Sequence, residues 1–196
     1  MNITVFTSNR PRHLALVHDL TRIADEVHAV IETSTVFPGR VPDFVKQSKA
    51  MQQYFTRVIA AEEEVFGTPR FVSDKIRPLV LKMGDLNLID LDILTPCLRA
   101  DEYVVFGSSY IQGPLLDVLV ARKACNIHMG TSPYYRGSSC NFWACYDGKY
   151  DYVGATVHRL SKGLDSGPIL FHAFPERTGE AFLLGMNAVR SAHRGS

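Results

Sequence analysis

Tyr103-Val104-Val105-Phe106 running into Gly107-Ser108-Ser109-Tyr110-Ile111, and Cys125-Asn126-Ile127-His128 one helix later, form the stretch that decides the fold. Four consecutive apolar residues ending in glycine and serine read as a central strand, since a strand covered on both faces shows a continuous apolar run. Gly113-Pro114 then leads into a helix over residues 115–122, proline being suited to a first helical turn. The second short apolar run follows directly. Strand, helix and strand in this order make a parallel β-α-β unit, and the carboxyl ends of such strands are where open sheets bind ligands.

At that end, alternation sends the side chains of Asn126 and His128 to one side and Ile127 to the other. A turn-rich loop follows, Gly130-Thr131-Ser132-Pro133-Tyr134-Tyr135-Arg136-Gly137. Later, Gly163-Leu164-Asp165-Ser166-Gly167-Pro168-Ile169 sets a carboxylate between glycines just before another apolar strand. A carboxamide, an imidazole and a carboxylate in one cleft can stabilise an oxyanion and move a proton, which makes Asn126, His128 and Asp165 the candidate catalytic residues. Each alone has an ordinary structural use: a histidine at a strand end as a hydrogen-bonded residue, an aspartate in Leu-Asp-Ser-Gly as a turn former. The ordered combination carries the functional reading.

Outward from this centre, Asn2-Ile3-Thr4-Val5-Phe6 reads as a strand and Ser8 or Asn9 as the cap of a helix with Pro11 in its first turn. Leu14, Val17, Leu20 and Ile23 recur at helical spacing, and a second strand follows at 27–31. The intervening loop lacks Gly-x-Gly-x-x-Gly, so the dinucleotide fingerprint is missing. Residues 33–42 read as a loop and 43–66 as one long polar helix whose Glu62-Glu63-Glu64 run is expected to be solvated. A short strand is expected at 78–81, while 84–98 shows no consistent period. Residues 141–146 read as a helix with Trp143 in the core, 153–160 and 169–174 as strands, and 180–193 as a closing amphipathic helix. His158, alternating with Thr156, is expected to be a structural residue on a partly exposed strand face.

The 196 residues, 46% hydrophobic and 21% charged, suffice for one α/β domain spanning 1–196. A net charge of +1 offers no electrostatic footprint for nucleic acid or an anionic membrane. A strand-like start with no signal peptide, and no apolar run of membrane-spanning length, point to a cytoplasmic protein. Cys97, Cys125, Cys140 and Cys145 lack Cys-x-x-Cys spacing, so neither a metal site nor a disulfide framework is expected.

Asn-Ile-His, the Tyr-Arg-Gly loop and Gly-Leu-Asp-Ser-Gly-Pro-Ile, in that order over residues 101–175, resemble the folate-dependent formyltransferases. That family includes the glycinamide ribonucleotide, methionyl-tRNA and nucleotide-linked amino-sugar formyltransferases. The resemblance implies a Rossmann-like formyltransferase fold, with a mostly parallel sheet flanked by helices. It implies transfer of a formyl group from 10-formyltetrahydrofolate to a primary amine, with no metal. Gly107, Ser108, Ser109, Tyr110 and Ile111, with Gly163 and Leu164, would line the folate site. Asn126 would donate to the developing oxyanion, His128 would stabilise that charge or carry the proton, and Asp165 would orient the imidazole and hold a relay water.

The chain departs from the glycinamide ribonucleotide enzymes in its first loop, which offers Asn9, Arg10 and Arg12 in place of a phosphate-holding glycine loop. With Tyr134 and Tyr135, this leans the expectation toward a nucleotide-linked amino sugar as acceptor. Glycinamide ribonucleotide or an aminoacyl-tRNA are the alternative acceptors, and hydrolysis of 10-formyltetrahydrofolate is the alternative reaction. A non-catalytic folate-binding module would not need all three polar residues. No nucleic-acid or membrane partner is expected beyond these, and a homodimer is compatible with the reading.

Overall fold

The computed structural model describes residues 1–33, 48–68 and 73–195. In chain order its elements are β1 (Asn2–Ser8), α1 (Pro11–Leu20), β2 (Glu26–Thr33), α2 (Lys49–Phe66), β3 (Ile76–Lys82), β4 (Glu102–Phe106), α3 (Gly113–Ala121), β5 (Cys125–His128), α4 (Cys140–Tyr146), β6 (Ala155–Arg159), β7 (Ile169–Ala173) and α5 (Ala181–Gly195). Short 3-10 turns at Asp85–Asn87 and Cys97–Arg99 occupy the segment without sequence periodicity. The strands form one sheet in the order β3-β2-β1-β4-β5-β6-β7. The first five run parallel, while β6 is antiparallel to both β5 and β7.

The sheet is covered on both faces. Ile3, Val5, Val27 and Ala29 join Leu16, Val17 and Leu20 of α1 and Val189 of α5 in one core. Phe6, Val30 and Val105 meet Leu115 and Leu119 of α3, with Leu86 and Leu94, on the other. Each fully buried side chain of this size contributes about 1.5–3 kcal/mol. Two threonines inside β1 are satisfied locally: Thr4 Oγ1 donates to Cys97 O, and Thr7 Oγ1 donates to Phe106 O at 2.7 Å.

Several expectations are corrected. The N-cap of α1 is Arg10, with no side-chain capping bond, because Ser8 Oγ is engaged with His13 Nδ1 instead. The long helix is described from Lys49, where Ser48 Oγ accepts the Met51 N–H at 3.3 Å; its expected start at 43–47, and the expected loop at 34–42, lie outside the described residues. Glu62 is not solvated but buried, since α2 packs between α1 and α5. Trp143 is half exposed on α4, edge-on to Phe142 and Tyr146, so it is not a core residue. His158 lies wholly buried: β6 is covered on both faces, and alternation there marks no exposed side.

Candidate active site

β4 ends at Phe106 and the chain turns at Gly107, where φ is +73°. A Cβ there would stand 2.3 Å from the His13 ring, so both conformation and space call for glycine. His13, on α1, lies edge-on to Phe106 with ring centroids 4.6 Å apart. Burial, reinforced by the charges of Arg12, His193 and Arg10, holds its pKa well below the ordinary value.

β5 carries Asn126 and His128, and the antiparallel register of β6 sets His158 directly opposite Asn126. The following turn folds back tightly on β6. Arg159 N–H donates to Pro168 O at 2.9 Å, and Gly167 approaches so closely that a Cβ would lie 1.8 Å from Arg159 O. That approach presses Asp165 against β5, with φ at +45°, a left-handed conformation that aspartate tolerates better than most residues.

The four polar side chains converge. Asn126 Nδ2 lies 3.1 Å from His158 Nε2 and donates to Asp165 Oδ1 at 3.3 Å. Those two acceptor atoms are 3.7 Å apart, close enough to share one N–H of the amide. His158 Nδ1 faces its neighbour's carbonyl, Arg159 O, at 2.8 Å, so in the neutral ring that nitrogen carries the proton and Nε2 accepts. Asp165 Oδ2 accepts the Gly137 N–H at 3.0 Å and meets His128 Nδ1 at 3.2 Å. His128 Nε2 faces Tyr135 O at 2.9 Å. With acceptors at both nitrogens, His128 is fully paired when both carry a proton.

Burial is the largest influence on Asp165 and pushes its carboxyl up. The His158 contact, which acts only with a proton on Nε2, joins the Gly137 N–H and the charges of the two histidines when protonated; together they outweigh burial, so the pKa ends below the ordinary value and the group is ionised at neutral pH. Nearby Cys140 moves the other way: burial first, and the Asp165 charge second, push its thiol up to about 11, which leaves it protonated and a poor nucleophile.

These residues line a cleft of about 500 Å³ at the strand ends. Gly107, Ser108, Ser109, Tyr110 and Ile111 form one wall, and Gly163 and Leu164 stand on the other beside Asp165. Tyr110 Oη reaches Lys162 O at 3.4 Å, tying the walls together, while the Ile111 side chain belongs mostly to the core. Every residue singled out in the sequence for catalysis or folate binding thus borders one space. A second chamber of about 490 Å³ shares Arg12, Met129, Gly137 and Ser139 with it and presents the rings of Tyr54, Phe142 and Phe182. Arg12 Nη1 donates to the buried Glu62 at 2.6 Å. Tyr134 and Tyr135 pack on Tyr152 instead, and neither they nor Arg136 line either chamber.

Sequence reasoning missed His158, Glu62 behind Arg12, and Glu32, whose buried carboxylate holds Ser109. The only sequence signal for His158 is that it shares a strand pairing with Asn126, which is invisible until the register is known. Among the described residues no group of His, Cys, Asp and Glu is arranged to hold a metal ion, and no helix is long and apolar enough to cross a membrane.

A carboxylate held below its ordinary pKa thus stands between two imidazoles and a carboxamide at the strand ends of a Rossmann-like sheet, the region where open α/β sheets bind ligands. The formyl transferase family matches residues 1–178, and the chain belongs to that family of enzymes. No curated protein matches the chain. Among solved structures, phosphoribosylglycinamide formyltransferase from Anaplasma phagocytophilum is 18% identical with a TM-score of 0.59, covering 98% of this chain and 81% of its own. Glycinamide ribonucleotide transformylase 1 from Geobacillus kaustophilus is 20% identical with a TM-score of 0.60, covering 98% and 93%. A 4-N formyltransferase from Francisella tularensis is 17% identical with a TM-score of 0.54, covering 98% of this chain and 64% of its own. At these identities the likeness is one of fold.

Proposed function

We propose that this protein transfers the formyl group of 10-formyltetrahydrofolate to a primary amine carried on a nucleotide-linked amino sugar. One observation carries the donor half of the reading: Asn126, His128 and Asp165 meet in the same cleft that Gly107, Ser108, Ser109 and Tyr110 wall. A cleft of this size suits a fused heterocycle, with polar backbone for its edge and apolar surface for its faces.

The amine attacks the formyl carbon, charge grows on the formyl oxygen, and a proton passes from the attacking nitrogen to the departing folate nitrogen. Asn126 offers its second amide N–H to that oxygen, a contact worth about 2.7–4 kcal/mol in such sites. His128 reaches the reacting atoms by giving up its Nε2 contact with Tyr135 O, and then stabilises the charge and carries the proton while Asp165 orients the imidazole and holds the relay water. The acceptor half rests on the adjoining chamber. Its aromatic rings suit a sugar or base, and Arg12 keeps guanidinium N–H groups beyond the one given to Glu62.

Calorimetric titration with 5-formyltetrahydrofolate should give saturable 1:1 binding, and absence of binding to folded protein would remove the reading. Side-by-side assays of amines test the acceptor: preference for glycinamide ribonucleotide or an aminoacyl-tRNA would replace the nucleotide sugar. Release of formate without any amine would mark a hydrolase instead.

A further inference from the structure

We infer that Glu32 is a positioning residue for the formyl donor, its buried carboxylate setting the shape of the loop at residues 107–111; this rests on the folate reading of the cleft. Glu32 lies near the end of β2 and is fully buried. Its Oε1 accepts the Gly84 N–H at 2.8 Å and the Ser109 hydroxyl at 2.9 Å, and its Oε2 accepts the Ser109 N–H at 2.6 Å. All three partners are donors, so each contact needs an acceptor oxygen. A buried carboxylate is costly to keep unless such donors surround it, and here they come from the loops after β3 and β4. One side chain therefore joins the ends of three strands.

The consequence falls on the cleft wall. N–H and C=O of a trans peptide point in opposite directions, so drawing the Ser109 N–H toward Glu32 turns the Ser108 carbonyl away from it. Ser108 and Ser109 line the cleft and Glu32 does not. A carbonyl fixed in that direction is an acceptor for N–H groups on the edge of a fused pyrimidine ring. The far end of the loop is braced separately: Asn87 Nδ2 donates to Tyr110 O and Asn87 Oδ1 accepts the Gln112 N–H, both at 2.8 Å. The loop is thus clamped at both ends by side chains that stand outside the cleft, which keeps it shaped for ligand before ligand arrives.

Glu32→Gln puts an amide where Ser109 needs an acceptor, with almost no change in volume. In parent protein that binds 5-formyltetrahydrofolate, this variant should weaken folate affinity about tenfold, in line with the loss of a charge-assisted contact. The KM for the amine should stay near the parent value, while the melting temperature falls with the loss of a buried acceptor that is already in place without ligand. Failure of the parent itself to bind folate would remove the folate reading rather than this role. Unchanged folate affinity in the variant, or equal losses for folate and amine, would overturn it. Should Glu32→Gln not fold, hydrogen exchange in the parent decides: the Ser109 amide should be strongly protected and more so with folate, and free exchange would overturn the clamp.

Discussion

Asp165 meets the three other polar side chains of the cluster and one backbone donor: Asn126 and His158 through Oδ1, and His128 and the Gly137 N–H through Oδ2. Its charge and its shape can be separated. Asn keeps the shape and accepts the left-handed backbone at φ +45°, but it loses the charge that pairs His128. If Asp165 orients the imidazole and the relay water, Asp165→Asn should lower kcat about 10²–10⁴-fold with folate affinity near the parent value. The measurement is kcat at saturating folate and amine, with melting temperature recorded beside it; a normally melting variant that turns over at the parent rate would take Asp165 out of the mechanism. Asn126, His128 and Asp165 were legible in the sequence because spacing within one strand and one glycine-framed turn fixes where they point. His158 and Glu32 were not, because their partners come from sheet register and from loops more than thirty residues away in sequence.

Among the elements, α2 shows what a helix pattern leaves open. Its charge run was legible, but which glutamate turns inward depends on the neighbour it packs against, and α1 supplies an arginine there. Arg12 gives Glu62 its guanidinium at 2.6 Å and its backbone N–H at 3.3 Å. Removing one member of a buried pair strands the other, at about 3–5 kcal/mol when both are fully buried. Arg12 retains a quarter of its side-chain exposure, so Glu62→Ala should cost less, roughly 1–3 kcal/mol in urea unfolding. A cost indistinguishable from zero would mean that water solvates Arg12 in the pair's absence. The strands were the most readable elements, since continuous apolar runs mark a sheet covered on both sides. Trp143 was misjudged for the converse reason: aromatic size predicts burial only on average, and α4 turns that face outward.

For the whole molecule, acidity should act in two stages. His13 is held well below the ordinary 6.5, so beneath about pH 6.5 the unfolded chain takes up a proton that the folded chain refuses. Stability therefore falls as pH drops, by at most about 1.4 kcal/mol per pH unit for one such proton. Asp165 is depressed below the ordinary 3.8, so its contribution is intact above that pH and is lost only as pH falls through its lower folded value. Urea unfolding at pH 7.5 and 5.5 should show the first stage, and His13→Gln should flatten it; an equal slope in the variant would assign the proton to another group.

The sheet reverses direction after β5, and this reversal divides the site between two lengths of chain. Asn126 and His128 precede the exposed turn at Gly148 and Lys149, while His158 and Asp165 follow it. On the proposed mechanism, a nick at that turn would leave each fragment with two of the four polar groups and no working set. Turnover would then return only when β5 and β6 pair again, so the enzyme could serve as its own reporter of fragment reassembly.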